Sequence, residues 1–457
     1  MDTIGIPHRS ILTLIAAYLG LFVGLVDANA INLALPAVRD DLGGGISGAQ
    51  WTIDAYNITF AALLLSAGSL GDRFGRRRLL RFGLTVFVVA SVACAAAPSL
   101  PLLLAARATQ GVGAALMLPQ GLAITAAAFP GPIERARATA AWAMAAALST
   151  AIGPILGGVL TDTVGWRYIF WLNVPVGLLA LLMTRLYLPE SRDDQAATVD
   201  TGGQMLAVLS LATLTVVLVE GRTLPVAWLV ALAVVAATGL AGFVISQRRA
   251  AAPMLPLDLF GNRRLTAALL ATFTMTFGIY GLLLVNSFVF QQQRGQSALT
   301  TALLFLPMPV TYLVLIPVVN AIARRTGPRL PMTGGLCLMA AGLLLYAGIG
   351  PHGDIQLLEC SFVLAGAGLA LNTGPAVGLA MSAVPVRRAG LASGVVNLAR
   401  LVGITVGVAV LGSAMASIGA QAALLIGGIV QLLGALVALR WARKEKVASG
   451  TRAVCHA

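Results

Sequence analysis

The chain has 457 residues, of which 58% are hydrophobic and only 10% are charged, and its formal net charge is +13. Soluble domains carry about a quarter charged residues, so this composition excludes an ordinary soluble domain or soluble enzyme. Long apolar runs also exclude the short alternating strands of a membrane β-barrel. The sequence therefore predicts an all-α polytopic membrane protein.

Apolar segments follow one another along the whole chain, and each is long enough to cross a hydrocarbon core of about 30 Å at about 1.5 Å per residue. Polar connectors flank the seventh and eighth segments. The fourteen segments cover approximately 11–36, 51–70, 79–97, 101–128, 139–161, 168–188, 203–220, 225–246, 265–290, 300–322, 331–349, 355–380, 390–413 and 420–440.

The positive charges of the loops support this count and give the chain an orientation. When alternate loops are assigned to two sides of the membrane, one side holds 24 Lys and Arg residues and the other holds 4. Cytoplasmic loops are enriched in these residues. We therefore expect a multi-pass protein of the inner (cytoplasmic) cell membrane with both termini in the cytoplasm. Such a one-sided distribution is a topology signal and does not indicate a nucleic-acid partner.

The first segment contains an ionisable side chain, Asp27, within the stretch Asp27–Pro36. A charged residue at the centre of the bilayer costs roughly 2.5–3.5 kcal/mol on insertion scales. Asp27 must therefore face a polar cavity, pair with a cation or hold a proton for part of the time. Two interpretations stay open: a carboxyl that binds and releases protons during transport, or a structural Asp paired with an Arg.

The loop between the second and third segments, residues 68–78, has five charged residues out of eleven and must lie at a membrane face. A simple basic loop would explain its arginines but not the spacing of its glycines and its aspartate. The loop matches the pattern G-x-L-x-D-R-x-G-R-[KR]-[KR] at every fixed position and so resembles that of the major facilitator superfamily. The resemblance implies a conformational latch formed by Gly68, Asp72, Arg73, Gly75 and Arg76.

The fourth segment contains Arg107 in a stretch that resembles the superfamily motif R-x-x-Q-G-x-G-A-A. In related antiporters this Arg is implicated in proton transfer, so the resemblance implies the same role for Arg107. Counting about 1.5 Å per residue from the segment ends places Arg107 about 9 Å and Asp27 about 13 Å below the outer surface. These similar depths allow the two residues to pair.

The fifth segment carries a glycine-rich stretch, Ser149–Gly158, that resembles the antiporter motif G-x-x-x-G-P-x-x-G-G, with Ser149 in place of the first Gly. Small residues let neighbouring helices approach closely, and a proline bends a helix. The motif is typical of exporters in the superfamily. The resemblance implies a conformational role for Gly153, Pro154, Gly157 and Gly158.

Further stretches extend the resemblance to nearly the whole chain, namely Gly165–Gly177, Pro256–Phe260 and Arg388–Gly394. With the motifs above, they make the chain similar to the fourteen-spanner drug:proton antiporter family. The resemblance implies a major facilitator fold, with two six-helix halves plus two inserted helices. It also implies that the proton gradient drives the protein, with no cofactor.

An internal repeat agrees with two related halves. Residues 323–329 follow the tenth segment as residues 71–77 follow the second, although Arg324 replaces Asp72. The predicted division is an N-terminal half at 1–188, inserted helices seven and eight with their connectors at 189–264, a C-terminal half at 265–446 and a cytoplasmic tail at 447–457.

Other polar side chains inside the segments are candidates for lining a substrate cavity. Asp54 is either a second carboxyl of that cavity or an ordinary helix-start Asp. Arg400 lies about 15 Å into its segment, where it either bonds backbone carbonyls or Asn397, or contacts an anionic group of a substrate. The full set is Asn32, Asp54, Gln110, Tyr280, Asn286, Asn372 and Arg400.

The favoured function is a proton-coupled multidrug exporter, an antiporter that would give antibiotic resistance by moving hydrophobic, amphipathic or cationic compounds through alternating access. The alternative is a dedicated exporter of one endogenous metabolite, lipid or antibiotic. A non-transporting sensor would be favoured by a large extramembrane domain, and the loops are too short for one. An enzyme is not expected, because the sequence shows no nucleotide-binding loop, no metal-ligand cluster and no catalytic residues. We expect a monomer whose partners are the lipid bilayer, protons and a small-molecule substrate.

Overall fold

The computed structural model describes residues 8–129, 131–192, 200–250, 253–350, 353–385 and 388–442. Within these ranges the regular structure is helical, and it includes 14 segments that are long and apolar enough to cross a membrane. The predictions of an all-α fold and of fourteen spans are confirmed. The tail predicted at 447–457 lies outside the described residues.

Fifteen α-helices make up this structure, because the tenth span consists of two helices, α10 and α11. A 3-10 turn at Leu257–Gly261 precedes α9, and a π-helical turn at Val289–Gln293 extends it. The helices are α1 (His8–Leu42), α2 (Gly45–Phe74), α3 (Arg76–Ala95), α4 (Leu100–Ala128), α5 (Pro132–Thr163), α6 (Arg167–Tyr187), α7 (Thr201–Val219), α8 (Val226–Arg249), α9 (Arg263–Phe288), α10 (Ala298–Phe305), α11 (Pro307–Thr326), α12 (Arg329–Ile349), α13 (Ile355–Ser382), α14 (Ala389–Ile418) and α15 (Ala420–Trp441).

Proline lies at the two main differences between the predicted and observed boundaries. The first segment was expected to end at Pro36, but α1 continues through it to Leu42. A proline removes one backbone hydrogen bond from a helix, and burial of Val38, which is 1% exposed, favours the continuation. The tenth span breaks at Leu306 because Pro307 follows and begins α11, where a missing N–H is tolerated best.

Helices α1–α6 (the N-half) and α9–α15 (the C-half) repeat the same close contacts. Where α3 meets α4, a Cβ on Gly83 would lie 2.9 Å from the carbonyl oxygen of Gly113. Where α12 meets α13, a Cβ on Gly335 would lie 2.7 Å from the carbonyl oxygen of Gly368. Only glycine lets these backbones approach so closely, so the internal repeat is visible in packing as well as in sequence.

The inserted helices α7 and α8 lie outside this bundle. Helix α7 packs against both α2 and α14, and α8 packs against α7. Gln204 of α7 donates to the Ala62 carbonyl of α2. Ser413 of α14 donates to the Leu218 carbonyl of α7 at 2.7 Å. Helix α7 therefore covers the seam between α2 and α14, which belong to different halves.

Glu220 fastens the end of α7 to the start of α2. Ser47 and Trp51 both donate hydrogen bonds to its carboxylate, Trp51 at 2.9 Å. Burial raises the pKa of Glu220, but its hydrogen bonds outweigh that effect, and the pKa is lowered overall. The carboxylate therefore stays ionised at neutral pH and keeps both donors.

The bundle has an arginine-rich end, which carries residues 68–78, and an opposite end, where hydrogen bonds join the two halves. The Asp162 carboxylate of α5 accepts from the backbone N–H groups of Ala298 and Leu299, at 3.0 and 2.7 Å. It therefore caps the start of α10 from across the seam. Gln50 of α2 also donates to carbonyls of α14 at 2.9 and 2.8 Å. These bonds hold the halves together at the opposite end.

We expect Asp162→Ala to loosen this contact. Loss of a helix cap costs about 1 kcal/mol, and this cap exists only while the halves are joined, so the ratio of joined to separated molecules should fall about fivefold. Spin labels at Thr163 and Gln293, one on each half at this end, report the change. Electron–electron double resonance should show a larger population at long distance.

Asp354→Ala is the matched control, since Asp354 caps α13 within the C-half by accepting from the Gln356 N–H at 2.8 Å. This variant should leave the distance distribution unchanged. An unchanged distribution in Asp162→Ala would show that the cap does not help to join the halves.

Candidate functional site

An ion pair lies inside the N-half. The side chains of Asp27 on α1 and Arg107 on α4 are 0% and 1% exposed, and Arg107 Nη1 lies 2.6 Å from Asp27 Oδ2. Buried charges are tolerated when they are paired and hydrogen-bonded. The similar depths of the two residues in the sequence allowed this pair, and the structure places the two charges in direct contact.

Amide side chains complete the hydrogen bonding of the Asp27 carboxylate. Asn173 of α6 donates to Oδ1 at 2.7 Å, and Gln110 of α4 donates to the same oxygen at 3.2 Å. Ser91 of α3 accepts from both amides, at 3.4 Å from Asn173 and 2.9 Å from Gln110. Each carboxylate oxygen therefore has a donor, in a network that joins α1, α3, α4 and α6.

The Arg107 guanidinium also has contacts that need no carboxylate. Its Nε donates to the Thr52 carbonyl of α2 at 3.1 Å, and its Nη1 donates to Gln110 Oε1 at 2.6 Å. The cation lies 4.5 Å from the ring centroid of Tyr56 and 5.6 Å from that of Phe170. Aromatic rings attract cations at these distances. Arg107 is therefore held by α2 and α6 as well as by Asp27.

Helix spacing and one glycine build this arrangement. Arg107 and Gln110 are three residues apart on α4 and therefore share one face. Gly111 lets that face approach α2, because a Cβ at this position would lie 2.3 Å from the Tyr56 carbonyl oxygen. The R-x-x-Q-G part of the motif thus sets the direction of the side chains and the distance between the helices together.

The described part of the C-half has no ion pair at the equivalent position. Gly366 of α13 approaches a carbonyl of α11 as Gly111 of α4 approaches one of α2, so the two glycines correspond. Four residues earlier, Phe362 stands where the N-half has Arg107. Phe362 belongs to an aromatic cluster and lies 5.4 Å from Phe305 between ring centroids. The buried charges thus belong to one half only.

Asp54 on α2 is a second fully buried carboxyl. It is 0% exposed, and neither of its oxygens has a hydrogen-bond partner among the described residues. An ionised carboxylate without hydrogen bonds is costly in such surroundings. Asp54 therefore differs from Asp27, whose charge is matched by a cation and two amides.

Three of the predicted cavity residues lie between helices in this conformation. Asn32, Asn286 and Asn372 are 1%, 0% and 0% exposed, so none of them reaches an open cavity. Asn372 donates to a carbonyl of α9 at 3.1 Å, and Asn32 donates to carbonyls of its own helix. The amide of Asn286 has no hydrogen-bond partner among the described residues. Tyr280 on α9 and Arg400 on α14 are, by contrast, only partly buried.

The loop at residues 68–78 is held by the segment that follows α6. The Arg76 N–H donates to the Ser191 carbonyl at 2.9 Å. The Arg77 N–H donates to the Glu190 carboxylate at 2.9 Å. These bonds join the start of α3 to the beginning of the connector toward α7.

Within this loop the five predicted latch residues have different surroundings. Asp72 pairs with Arg76 at 2.7 Å, one helical turn away. Gly75 turns the chain between α2 and α3 with a φ of 101°, a conformation that favours glycine. Arg73 lies over a neighbouring aromatic ring at 5.4 Å, and a Cβ on Gly68 would meet no atom within 4 Å. Their role as a latch stays a prediction.

The glycine motif of α5 faces two different helices. A Cβ on Gly157 would lie 2.3 Å from the Ala30 carbonyl oxygen of α1, and one on Gly158 would lie 2.8 Å from a carbonyl oxygen of α10. Gly153 also packs on α1, and Pro154 removes one N–H from the helix between these contacts. Helix α5 therefore touches its own half and the C-half through adjacent glycines, so it cannot shift without changing both contacts.

Sequence reasoning missed four side chains of these sites, namely Tyr56, Ser91, Asn173 and Glu190. Asn173 gave a usable signal, because it is the only amide or charged side chain in the apolar run 169–183. Tyr56 and Ser91 gave none, since aromatic and small hydroxyl side chains are common in membrane helices. Glu190 lies in a connector whose path the sequence did not reveal.

Comparisons with known proteins give matches over most of the chain. The family profile described as Major Facilitator Superfamily matches residues 17–408 and 268–453. The Multidrug resistance protein Stp of Mycobacterium tuberculosis (strain CDC 1551 / Oshkosh) is 38% identical over 90% of this chain and 76% of its own length. The Drug efflux pump JefA of the same strain is 35% identical, over 90% and 81%. The Methylenomycin A resistance protein of Streptomyces coelicolor is 32% identical, over 95% and 93%.

Solved structures share this fold at much lower sequence identity. A POT family transporter in complex with 5-aminolevulinic acid has a TM-score of 0.71 and is 15% identical, covering 96% of both chains. The POT family transporter PepTSo also has a TM-score of 0.71 and is 15% identical, over 96% of this chain and 98% of its own. At such identity the likeness concerns the fold alone.

Since the charges of Asp27 and Arg107 neutralise each other, removing one charge should lower the free energy of unfolding more than removing both. We expect Arg107→Gln to lower the free energy of unfolding by about 3–5 kcal/mol, the range for breaking a buried ion pair. The double variant Asp27→Asn/Arg107→Gln should regain part of this loss. Unfolding midpoints in detergent measure the difference.

A double-mutant cycle with Arg39→Gln and Asp40→Asn is the control, because this ion pair lies at the surface. Arg39 Nη2 lies 2.8 Å from Asp40 Oδ1. The coupling energy of this pair should stay below about 1 kcal/mol. If the losses from Asp27→Asn and Arg107→Gln simply added, the two buried charges would not depend on each other.

Proposed function

The chain belongs to the Major Facilitator Superfamily, and from that premise we propose that it is a proton-coupled multidrug exporter that works by alternating access. Its relatives are named as a multidrug resistance protein, a drug efflux pump and an antibiotic resistance protein. The substrates are hydrophobic or amphipathic small molecules. The observation that carries proton coupling is the buried network around Asp27.

Proton coupling follows from the charge balance of the ion pair. A proton that binds Asp27 removes the negative charge that faces Arg107, and a buried cation without its partner is destabilising by several kcal/mol. Arg107 must then move or take another partner, so protonation favours a shift of α1 against α4. Asp54, which is fully buried and has no described hydrogen-bond partner, supplies a second carboxyl on α2.

The contacts at the opposite end decide when a proton can arrive. The positive-inside rule puts the arginine-rich end in the cytoplasm. The protein then lies in the inner cell membrane with both termini in the cytoplasm. The opposite end then faces the outside, where Asp162 and Gln50 join the halves. An external proton reaches Asp27 only after these contacts break. The proton gradient alone drives the cycle, with no cofactor.

The latch of this proposal lies at the arginine-rich end. Asp72 pairs with Arg76 inside the N-half in this conformation. The Glu190 carboxylate accepts a hydrogen bond from the Arg77 N–H of the same loop. The described bonds of Asp72 therefore do not tie the N-half to the C-half. This arrangement supports a conformation in which the arginine-rich end is free to open while the opposite end is joined.

Asp27→Asn tests the coupling. Inside-out vesicles with an acidic interior should accumulate tetracycline, an amphipathic aromatic compound, through the parent protein. Asp27→Asn removes the carboxyl to which the proposal assigns proton coupling, so gradient-driven uptake should fall at least about tenfold, a barrier change of about 1.4 kcal/mol or more. The amount of protein in the membrane should stay the same.

Asp40→Asn is the matched control, since Asp40 is 62% exposed at the opposite end and makes only a surface pair. Its uptake should equal that of the parent. Undiminished gradient-driven uptake by Asp27→Asn would sink the assignment of Asp27 as the coupling residue.

A dedicated exporter is the second candidate, because one relative, the Methylenomycin A resistance protein, is named for a single antibiotic. A panel of unrelated amphipathic compounds in the same vesicles separates the two functions. Gradient-dependent uptake of several compounds supports the multidrug exporter, and uptake of only one supports the dedicated exporter. No gradient-dependent uptake of any compound would contradict both.

A further inference from the structure

Arg400 is a charged side chain deep in the C-half. It lies on α14, about 17 Å from the start of the helix at about 1.5 Å per residue. Its carbonyl accepts from Thr276 of α9 at 3.0 Å. Gly403, one turn further on, lets α14 approach α9, because a Cβ there would lie 2.5 Å from the Phe273 carbonyl oxygen. The backbone of Arg400 is therefore fixed against α9, while its side chain is only partly buried.

The Arg400 guanidinium has no ion-pair or hydrogen-bond partner among the described residues. Two nearby acids in the sequence are engaged elsewhere, since Asp258, just before α9, pairs with Arg388 at 2.6 Å and Asp354 caps α13. Asn397, which the sequence offered as a partner, donates to a carbonyl of its own helix at 3.1 Å. An unpaired cation at membrane depth is costly and is usually retained for function.

Two tyrosines of the C-half lie near Arg400. Tyr280 on α9 lies one helical turn beyond Thr276, which donates to the Arg400 carbonyl, and Tyr312 on α11 also lies within electrostatic reach of Arg400. Tyr280 lies in turn close to Tyr56 of the N-half. Two phenol hydroxyls therefore lie near this cation.

The other charges at this depth do not offset Arg400. Asp27 and Arg107 neutralise each other at 2.6 Å. Asp54 is fully buried and has no described partner, so a ligand cannot reach it in this conformation. Of the charged side chains described at this depth, Arg400 alone is not fully buried. The region therefore has a positive potential, which attracts anions and repels cations.

We infer that Arg400, Tyr280 and Tyr312 bind the anionic group, a carboxylate or an ionised phenol, of a planar aromatic substrate. A guanidinium offers parallel N–H donors that match a carboxylate. The phenol hydroxyls supply further donors, and tyrosine rings stack on an aromatic ring. This inference rests on the proposed function, because it narrows the amphipathic substrates of the exporter to aromatic acids.

Equilibrium binding to the full-length protein in detergent, without any proton gradient, tests this inference. The probes are anthracene-2-carboxylate, its methyl ester and anthracen-2-ylmethylammonium, which share one ring system and differ in charge. The carboxylate should bind at least about tenfold more tightly than the other two, as expected for hydrogen bonds to a charged group. Arg400→Gln should reduce its affinity to that of the ester, and Arg400→Lys should keep part of the difference.

Two further variants separate binding from general damage. Arg249→Gln is the matched control, because Arg249 is exposed on α8 at the edge of the protein, and it should bind all three probes like the parent. Tyr312→Phe keeps the ring but removes one hydroxyl. It should weaken the carboxylate about threefold and leave the ester unchanged.

Several results would overturn the inference. They are equal affinities for carboxylate and ester, tighter binding of the ammonium, no binding of the carboxylate, or a preference that survives in Arg400→Gln. A failure of the proposed function would appear in a different measurement, as an absence of gradient-driven uptake by the parent in vesicles. The two proposals therefore stand or fall separately.

Discussion

Two opposite charges buried side by side determine how the N-half can move. Water does not reach Asp27 or Arg107, so each charge is stable only while the other is near. Five helices serve the pair: α1 and α4 carry the charges, α2 supplies a backbone carbonyl, and α3 and α6 supply a hydroxyl and an amide. A motion that separates α1 from α4 must therefore be accompanied by a change of charge. On this requirement rests the proposed coupling between protonation of Asp27 and a change of conformation.

The two halves share a packing scheme but not a chemistry. Gly111 and Gly366 bring corresponding helices equally close, yet Phe362 replaces Arg107 at the corresponding position of the C-half. The aromatic cluster around Phe362 carries no charge, and the C-half instead presents a cation on α14, Arg400. The two halves thus keep the same helix arrangement while their side chains differ at corresponding positions. One half buries an ion pair, and the other carries a partly buried cation without a described partner.

The sequence predicted the features that are set within one segment, and it did not predict those that depend on which helices become neighbours. The fourteen spans followed from apolar length, because a helix in a bilayer satisfies its hydrogen bonds within its own segment. Asp27 and Arg107 stood out because charges are rare in such segments. The roles of Asn173 and Ser91 could not be predicted, since they depend on which helices become neighbours of α1. Polarity suggested a cavity for Asn372, but its amide bonds α9 instead.

The position of α7 makes the two sides of the protein unequal toward the lipid. One seam between the halves runs along α2 and α14, and the other runs along α5 and α10. Gln204 and Glu220 hold α7 across the first seam, whereas α7 and α8 do not pack on the second. Among the described residues, the inserted helices therefore shield the seam along α2 and α14 from lipid and leave the seam along α5 and α10 uncovered.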